Sequence, residues 1–331
     1  MSKSLVIGAN GQIGSELTAA LAAMHGEAHV IAADIALPAQ PHRVQFVSLD
    51  VLDTRRLREI VERHSIDDVY LLAALLSAKG ESAPLAAWTL NVNSLLNVLE
   101  LAREKKIARV FWPSSIAAFG PHSPADATPQ WAVMDPTTIY GARKQAGERL
   151  CEYYFAKFGV DVRSLRYPGA ISYRTPPGGG TTDYAIAIFQ AARRGEAYRC
   201  FLAEDATLPM IYMPDAIRAT LELMNADARR LRVRSSYNLS GLSFSPGEIA
   251  AEIRRHVPGF EVVYAPDFRQ AIAESWPHTI DDSQARADWG WAARFDLARL
   301  TADMLENVPL DWDEPTSLPS SVRARVSCRT C

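Results

Sequence analysis

The chain has 331 residues and a mass of 36.4 kDa, enough to bury about 75% of the surface its unfolded form exposes and to hold a core without disulfides or metal. Lys and Arg number 35 against 38 Asp and Glu, a formal charge of −3. That leaves no bulk cationic field to draw nucleic acid or anionic lipid, so neither is an expected partner. With 48% apolar and 22% charged residues the composition is that of a globular chain. Its longest apolar stretch, Tyr70 to Leu76, is far short of the ~20 residues of a membrane span. The N-terminus carries no signal-peptide pattern, so the expected location is cytoplasmic.

Leu5-Val-Ile7 reads as a short buried strand, and Gly8-Ala-Asn-Gly11-Gln-Ile-Gly14 follows it directly and opens a helix over Leu17 to Met24. Glycines at such a turn let the backbone approach a pyrophosphate, while the free N–H groups of the helix start face its charge. Gly8, Asn10, Gly11, Gln12, Ile13 and Gly14 are therefore candidate cofactor contacts. The next strand, His29 to Ala33, ends at Asp34, twenty residues past Gly14, where a carboxylate accepts both ribose hydroxyls and repels a 2′-phosphate. The cofactor expected is NAD rather than NADP. After a third strand at Val44 to Val47, Asp50 and Val51 occupy the place of an adenine contact; Asp50 reads equally well as the cap of a helix over Arg55 to His64.

A fourth strand, Val69 to Leu72, a helix over Ala87 to Lys105 and a fifth strand, Arg109 to Trp112, continue the alternation. Ser114-Ser115 then falls at a carboxyl end, where ligands sit in open α/β sheets. Tyr140-Gly-Ala-Arg-Lys144 begins a helix running to Phe158 and puts a phenol and an ammonium on one helix face. A cation close to the phenol favours its ionised form and brings Tyr140 toward useful base strength. Ser115 can hold a substrate oxygen beside it. The sixth strand spans Asp161 to Arg166. The fold class is α/β, a Rossmann-type doubly wound parallel sheet over residues 1–170, with a smaller C-terminal substrate-binding lobe over 171–308. That lobe opens with the loop Thr175-Pro-Pro-Gly-Gly-Gly180 and a helix from Asp183 to Arg194. Trp276 reads as pocket wall or as core. Residues 309–331 read as a weakly packed tail.

Of the four cysteines, Cys151 and Cys200 lie within elements, and Cys328 and Cys331 form a terminal C-x-x-C with no second ligand pair. No metal site is expected.

Together these motifs resemble the extended type of short-chain dehydrogenase/reductase: the glycine loop at 8–14, Leu72-Ala-Ala74, Asn91, Ser115, Tyr140 and Lys144, and Tyr167-Pro-Gly169. Four segments are more particularly similar to the L-threonine 3-dehydrogenase group of that family: 74–77, 111–120, 176–184 and 281–291. The likeness covers residues 4–307. It implies NAD-dependent oxidation of L-threonine to 2-amino-3-oxobutanoate. Tyr140 would be the general base, Lys144 would tune it and hold the nicotinamide ribose, and Ser115 would orient the hydroxyl. Leu72, Ala73, Ala74, Asn91 and Tyr167 would join the cofactor contacts, and Ser77, Thr181, Thr182 and Asp183 those to the amino acid. Thr182-Asp183 reads alternatively as a helix cap. The architecture also fits a nucleotide-sugar epimerase or dehydratase, with Arg174, Arg193, Arg194 and Arg199 available to a diphosphate, or a non-catalytic NAD-binding regulator. The apolar residues around the helices 87–105 and 140–158, among them Leu95 and Phe155, suggest a homodimer with a four-helix contact.

Overall fold

The computed structural model describes residues 2–75, 81–176, 178–310 and 312. The central sheet is built from β1 (Ser4–Ile7), β2 (Val30–Asp34), β3 (Gln45–Ser48), β4 (Asp68–Leu71), β5 (Arg109–Phe111) and, beyond a short β6 (Ser114–Ser115) that pairs elsewhere, β7 (Asp161–Arg163). Its strands run parallel in the order β3-β2-β1-β4-β5-β7. Alternation along β1 sends Leu5 and Ile7 into the core on one face and Val6 into the core on the other. Both faces are therefore covered by helices, as the near-continuous apolar runs require.

Helix α1 (Gln12–His25) follows the glycine loop, starting several residues before the apolar periodicity shows it. Helix α2 (Thr54–His64) is capped by Asp53, which accepts from the Arg56 N–H at 2.9 Å. Asp50 is thus not the cap; it is exposed and accepts from the Leu52 N–H at 2.9 Å. Helix α3 combines Pro84–Trp88, a π turn at Thr89–Asn93 and Ser94–Arg103. Helix α4 (Ile139–Phe158) starts at Thr138, whose hydroxyl accepts from the Gly141 N–H, and stops at Gly159 in the left-handed region.

The strand expected over Asp161–Arg166 divides at Ser164. There the backbone turns to accept from the Tyr237 N–H and the hydroxyl meets that of Ser236 at 2.8 Å. The remaining strands are β8 (Leu165–Tyr167), β9 (Gly169–Ile171), β10 (Tyr198–Cys200), β11 (Leu208–Tyr212), β12 (Tyr237–Asn238), β13 (Leu242–Phe244) and β14 (Val262–Tyr264). They form the small sheets β12-β8-β6, β13-β11-β9 and β10-β14.

Residue 170 is not a clean division between cores. Helix α5 (Tyr184–Arg194) belongs to a second-lobe core with Met210, Phe244, Ile253 and Leu300, whereas Ala216 and Leu223 of α6 (Met213–Asn225), with Trp291, pack beside Val6 and Leu17 of the first lobe. The start of the expected tail is also held: Gln190 donates to the Pro309 carbonyl at 3.0 Å and Arg194 to that of Leu310. Residues 313–331, with Cys328 and Cys331, lie outside the described residues.

Leu95, Val98 and Leu99 of α3 and Cys151 of α4 are fully buried within one chain, so the wide apolar circumference of these helices is largely satisfied internally. This corrects Leu95 as a dimer-contact residue. Leu85 and Trp88 on α3 and Tyr153 on α4 remain exposed. No helix among the described residues is long and apolar enough to cross a membrane.

Candidate active site

Strand order reverses between β1 and β4, and a cleft of about 260 Å³ opens at the carboxyl ends of the strands there. Gly8, Gly11, Gln12, Ile13 and Gly14 line one end, and Leu72, Ala74 and Tyr167 the middle. Ser115, Tyr140, Lys144, Thr181, Thr182, Asp183 and Trp276 line the other. Trp276 serves both its readings, since it also packs in the second-lobe core.

Gly8 sits at φ +89°, and a Cβ there would stand 2.6 Å from the Ala73 nitrogen. A Cβ on Gly14 would stand 2.1 Å from the Gly8 carbonyl oxygen. Only glycine lets the loop fold this tightly onto the strand ends. Asp34 closes β2 and accepts from the Asn10 N–H at 3.0 Å. The Asn10 side chain donates to the Ala36 carbonyl at 2.8 Å and meets His42 Nε2 at 2.9 Å. It shapes the loop around Asp34 rather than lining the cleft. Val51 is core, and Ala73 supports the loop from behind, its N–H donating to Ile7. Buried Asn91, in the π turn, spends both ends of its amide on the Leu75 backbone, at 2.9 and 3.1 Å. It braces the 72–75 segment from outside the cleft. Ser77 lies outside the described residues.

Two buried polar atoms on the lining have no partner, Gln12 Nε2 and Thr181 Oγ1. With the glycine cradle, they fit a dinucleotide at one end and a small polar molecule at the other. NAD would lie along Gly8–Gly14 with its adenosine ribose at Asp34. Tyr167 offers the cleft no hydroxyl, because its OH is bound to Thr220.

At the far end, Lys144 Nζ donates to the Pro113 carbonyl and stands 4.7 Å from the centre of the Trp112 ring and 5.5 Å from that of Tyr140. Gly147 makes room for that indole, since a Cβ there would be 2.3 Å from it. Burial, with the adjacent Arg143 cation second, pushes the Lys144 pKa down to about 7 against the pull of Glu148. The Tyr140 phenol is raised above its usual value by burial, opposed by its hydrogen bond with Ser115 and by the Arg143 cation. This corrects the expected sign: burial outweighs the neighbouring positive charge, of which Arg143 is the part that lowers the phenol most clearly.

One turn further along α4, Glu148 is completely buried. It accepts from Ser114 at 2.6 Å and from Arg166 at 2.9 and 2.7 Å. Arg166 in turn holds the Gln130 carbonyl and Asn238 Oδ1. This network ties the strand that presents Ser115 to the helix that presents Tyr140. Sequence reasoning missed it, because neither residue stands in a motif and charged residues ordinarily read as solvated.

Asp183 does not cap α5 with its side chain. Its carboxylate accepts from the Gly179 and Gly180 N–H groups at 2.7 and 2.6 Å, fixing the glycine loop beside Thr181 and Thr182.

Sheet, glycine loop and cleft define a doubly wound dinucleotide-binding protein of the extended kind, with a second lobe closing the far end of its crevice. The chain belongs to the NAD dependent epimerase/dehydratase family, whose profile matches residues 4–239, and its cofactor is NAD. The solved GalE-like L-threonine dehydrogenase from Cupriavidus necator, in its holo form, is 60% identical, with a TM-score of 0.91 over 93% of this chain and 100% of that one. A monomeric L-threonine 3-dehydrogenase from a metagenome is 45% identical, with a TM-score of 0.89 over 92% and 98%. An uncharacterized epimerase/dehydratase of Staphylococcus haemolyticus is 47% identical over 93% of this chain and 98% of its own length.

Proposed function

We propose that the protein oxidises L-threonine at Cβ, giving 2-amino-3-oxobutanoate and NADH. The observation that carries this reading is the convergence of Ser115, Tyr140 and Lys144 at one end of the NAD cleft, facing the partnerless Thr181 hydroxyl. Ser115 orients the substrate hydroxyl, and Tyr140, as phenolate, takes its proton while the C–O bond becomes C=O. Bound NAD supplies the acceptor for the hydride that leaves Cβ. Lys144, on the same helix face, stabilises the phenolate and holds the nicotinamide ribose. Thr181 and Thr182 receive the polar groups of the amino acid on a loop that Asp183 fixes. Asp183 therefore acts through the loop, as a positioning residue.

A nucleotide-sugar substrate is favoured by the names of family and curated relative, but none of Arg174, Arg193, Arg194 and Arg199 lines the cleft, and three of them are engaged elsewhere. Arg193 and Arg194 hold the Val308 and Leu310 carbonyls, and Arg174 lies 3.9 Å from Glu16. A purely regulatory NAD-binding protein has no use for the converging Ser115, Tyr140 and Lys144. The purified protein should therefore accumulate NADH with L-threonine and not with UDP-glucose. Asp34 should make kcat/KM with NADP at least ~100-fold lower, and chelators should leave the rate unchanged. No turnover of L-threonine by folded, NAD-binding protein overturns the assignment.

We also propose a cytoplasmic homodimer, now resting on exposed Leu85, Trp88 and Tyr153 of α3 and α4. Light scattering should give about twice the chain mass; fully active protein at 36.4 kDa contradicts it.

A further inference from the structure

Arg143 is the largest charged side chain that is fully buried, and among the described residues the nearest carboxylate acting on it is that of Glu81, which accepts from the Ile139 N–H at 2.8 Å and forms no ion pair with the guanidinium. A buried cation is costly unless its donors are satisfied. Each nitrogen of Arg143 finds a backbone carbonyl: Nε donates to Ile139 at 3.0 Å, Nη1 to Ala87 at 2.8 Å and Nη2 to Leu75 at 3.3 Å. These carbonyls belong to three different parts of the cleft wall. Ile139 begins the helix that carries Tyr140, Ala87 stands at the threshold of the π turn, and Leu75 follows the cleft-lining Leu72 and Ala74. Asn91 grips that same Leu75 carbonyl from the other side. The guanidinium carbon is also 5.4 Å from the centre of the Tyr140 ring.

We propose that Arg143 is a positioning residue for the reaction assigned above: a permanent cation, bound to backbone carbonyls rather than ion-paired, that stabilises the Tyr140 phenolate and locks its helix to the 72–75 segment. The inference rests on that assignment for its kinetic consequences only. Permanence is what separates Arg143 from its neighbour, because guanidinium does not titrate in proteins whereas a buried ammonium does. Burial brings Lys144 down to about 7, and Arg143 adds to that lowering. Near neutral pH the fixed positive charge beside the phenol is therefore that of Arg143. An ion-paired carboxylate would cancel this field, and the three carbonyls give each nitrogen an acceptor without neutralising it.

The test compares Arg143→Met and Arg143→Lys with the wild type, with NADH affinity as the check on folding. The rising limb of the kcat/KM–pH profile should move up by about one unit in Arg143→Met, the effect of removing an opposite charge at this distance. The activity at neutral pH should then fall about 10-fold. Arg143→Lys keeps the charge and loses the fork, so its limb should stay in place while KM rises. Arg143→Lys also decides the matter alone where Arg143→Met does not fold: an upward shift of its limb, equal to that of a neutral residue, contradicts the charge role. An unmoved limb in folded Arg143→Met overturns the proposal. Should the wild type not oxidise L-threonine, the functional assignment fails separately. Ultraviolet titration of Tyr140 then reads Arg143 without substrate, as the difference between each protein and its Tyr140→Phe counterpart. The phenolate should appear about one pH unit later in the Arg143→Met background, and coincident curves reject the role.

Discussion

Tyr140→Phe should leave the fold and NAD affinity in place and lower kcat by ~10²–10⁴, the scale of a general base, or ~2.7–5.5 kcal/mol of transition-state stabilisation. The substitution removes one oxygen from a ring held by helix packing and by the cations of Arg143 and Lys144, so little else should change. The wild-type profile carries a second signature. Because burial raises the phenol above its ordinary value, the free enzyme holds Tyr140 protonated at neutral pH, and kcat/KM should climb on the alkaline side as the base forms. Tyr140→Phe should flatten that climb. More than a tenth of the wild-type kcat, or an unchanged pH profile in the variant, assigns the proton transfer to another group.

Glu148→Ala should be the most destabilising substitution in the site, costing ~3–5 kcal/mol in urea unfolding. Removing the carboxylate strands the Arg166 guanidinium, whose side chain is 3% exposed, with an uncompensated charge. Its remaining contacts to Gln130 and Asn238 satisfy some donors but do not balance that charge. Ser114 loses its acceptor at the same time, so activity should fall beyond what unfolding explains. A double change that also replaces Arg166 with Met should recover part of the loss, because no buried charge is then left alone. A cost below ~1 kcal/mol in the single variant means that water or neighbouring groups rescue Arg166, and the network would not organise the site.

Much of the dinucleotide half was legible in the sequence for a physical reason. A strand buried on both faces shows itself as a continuous apolar run, and a phosphate-binding turn admits little besides glycine, so Leu5–Ile7, Gly8–Gly14 and Asp34 carry their structural meaning in their identities. Ser115, Tyr140 and Lys144 could be placed because the alternation put each at a strand end or on a helix face. The errors came from residues whose role depends on distant partners. Asp161–Arg166 reads as one strand because nothing local reveals that Ser164 changes sheets to meet Ser236. Asp50 loses the cap to Asp53, a choice made by the exact start of α2. Leu95 reads as interface because a helix covered on several sides by its own chain has the same pattern as one covered by a partner. Arg143 lay inside the recognised motif at three residues from Tyr140, a spacing that puts it on the same face. An arginine in a helix nonetheless ordinarily signals a solvated surface. The second lobe was hardest, since every strand there except β11 has only two or three residues and holds no measurable period.

The most direct test of the central claim is the fate of deuterium placed on Cβ of L-threonine. The account expects the label to leave the amino acid and appear in the accumulated NADH, one per molecule of 2-amino-3-oxobutanoate formed, with a slower rate than for the unlabelled substrate. An enzyme that returns hydrogen to its substrate, or that removes it as a proton, leaves the label in the amino acid or in water, and either result contradicts the assignment.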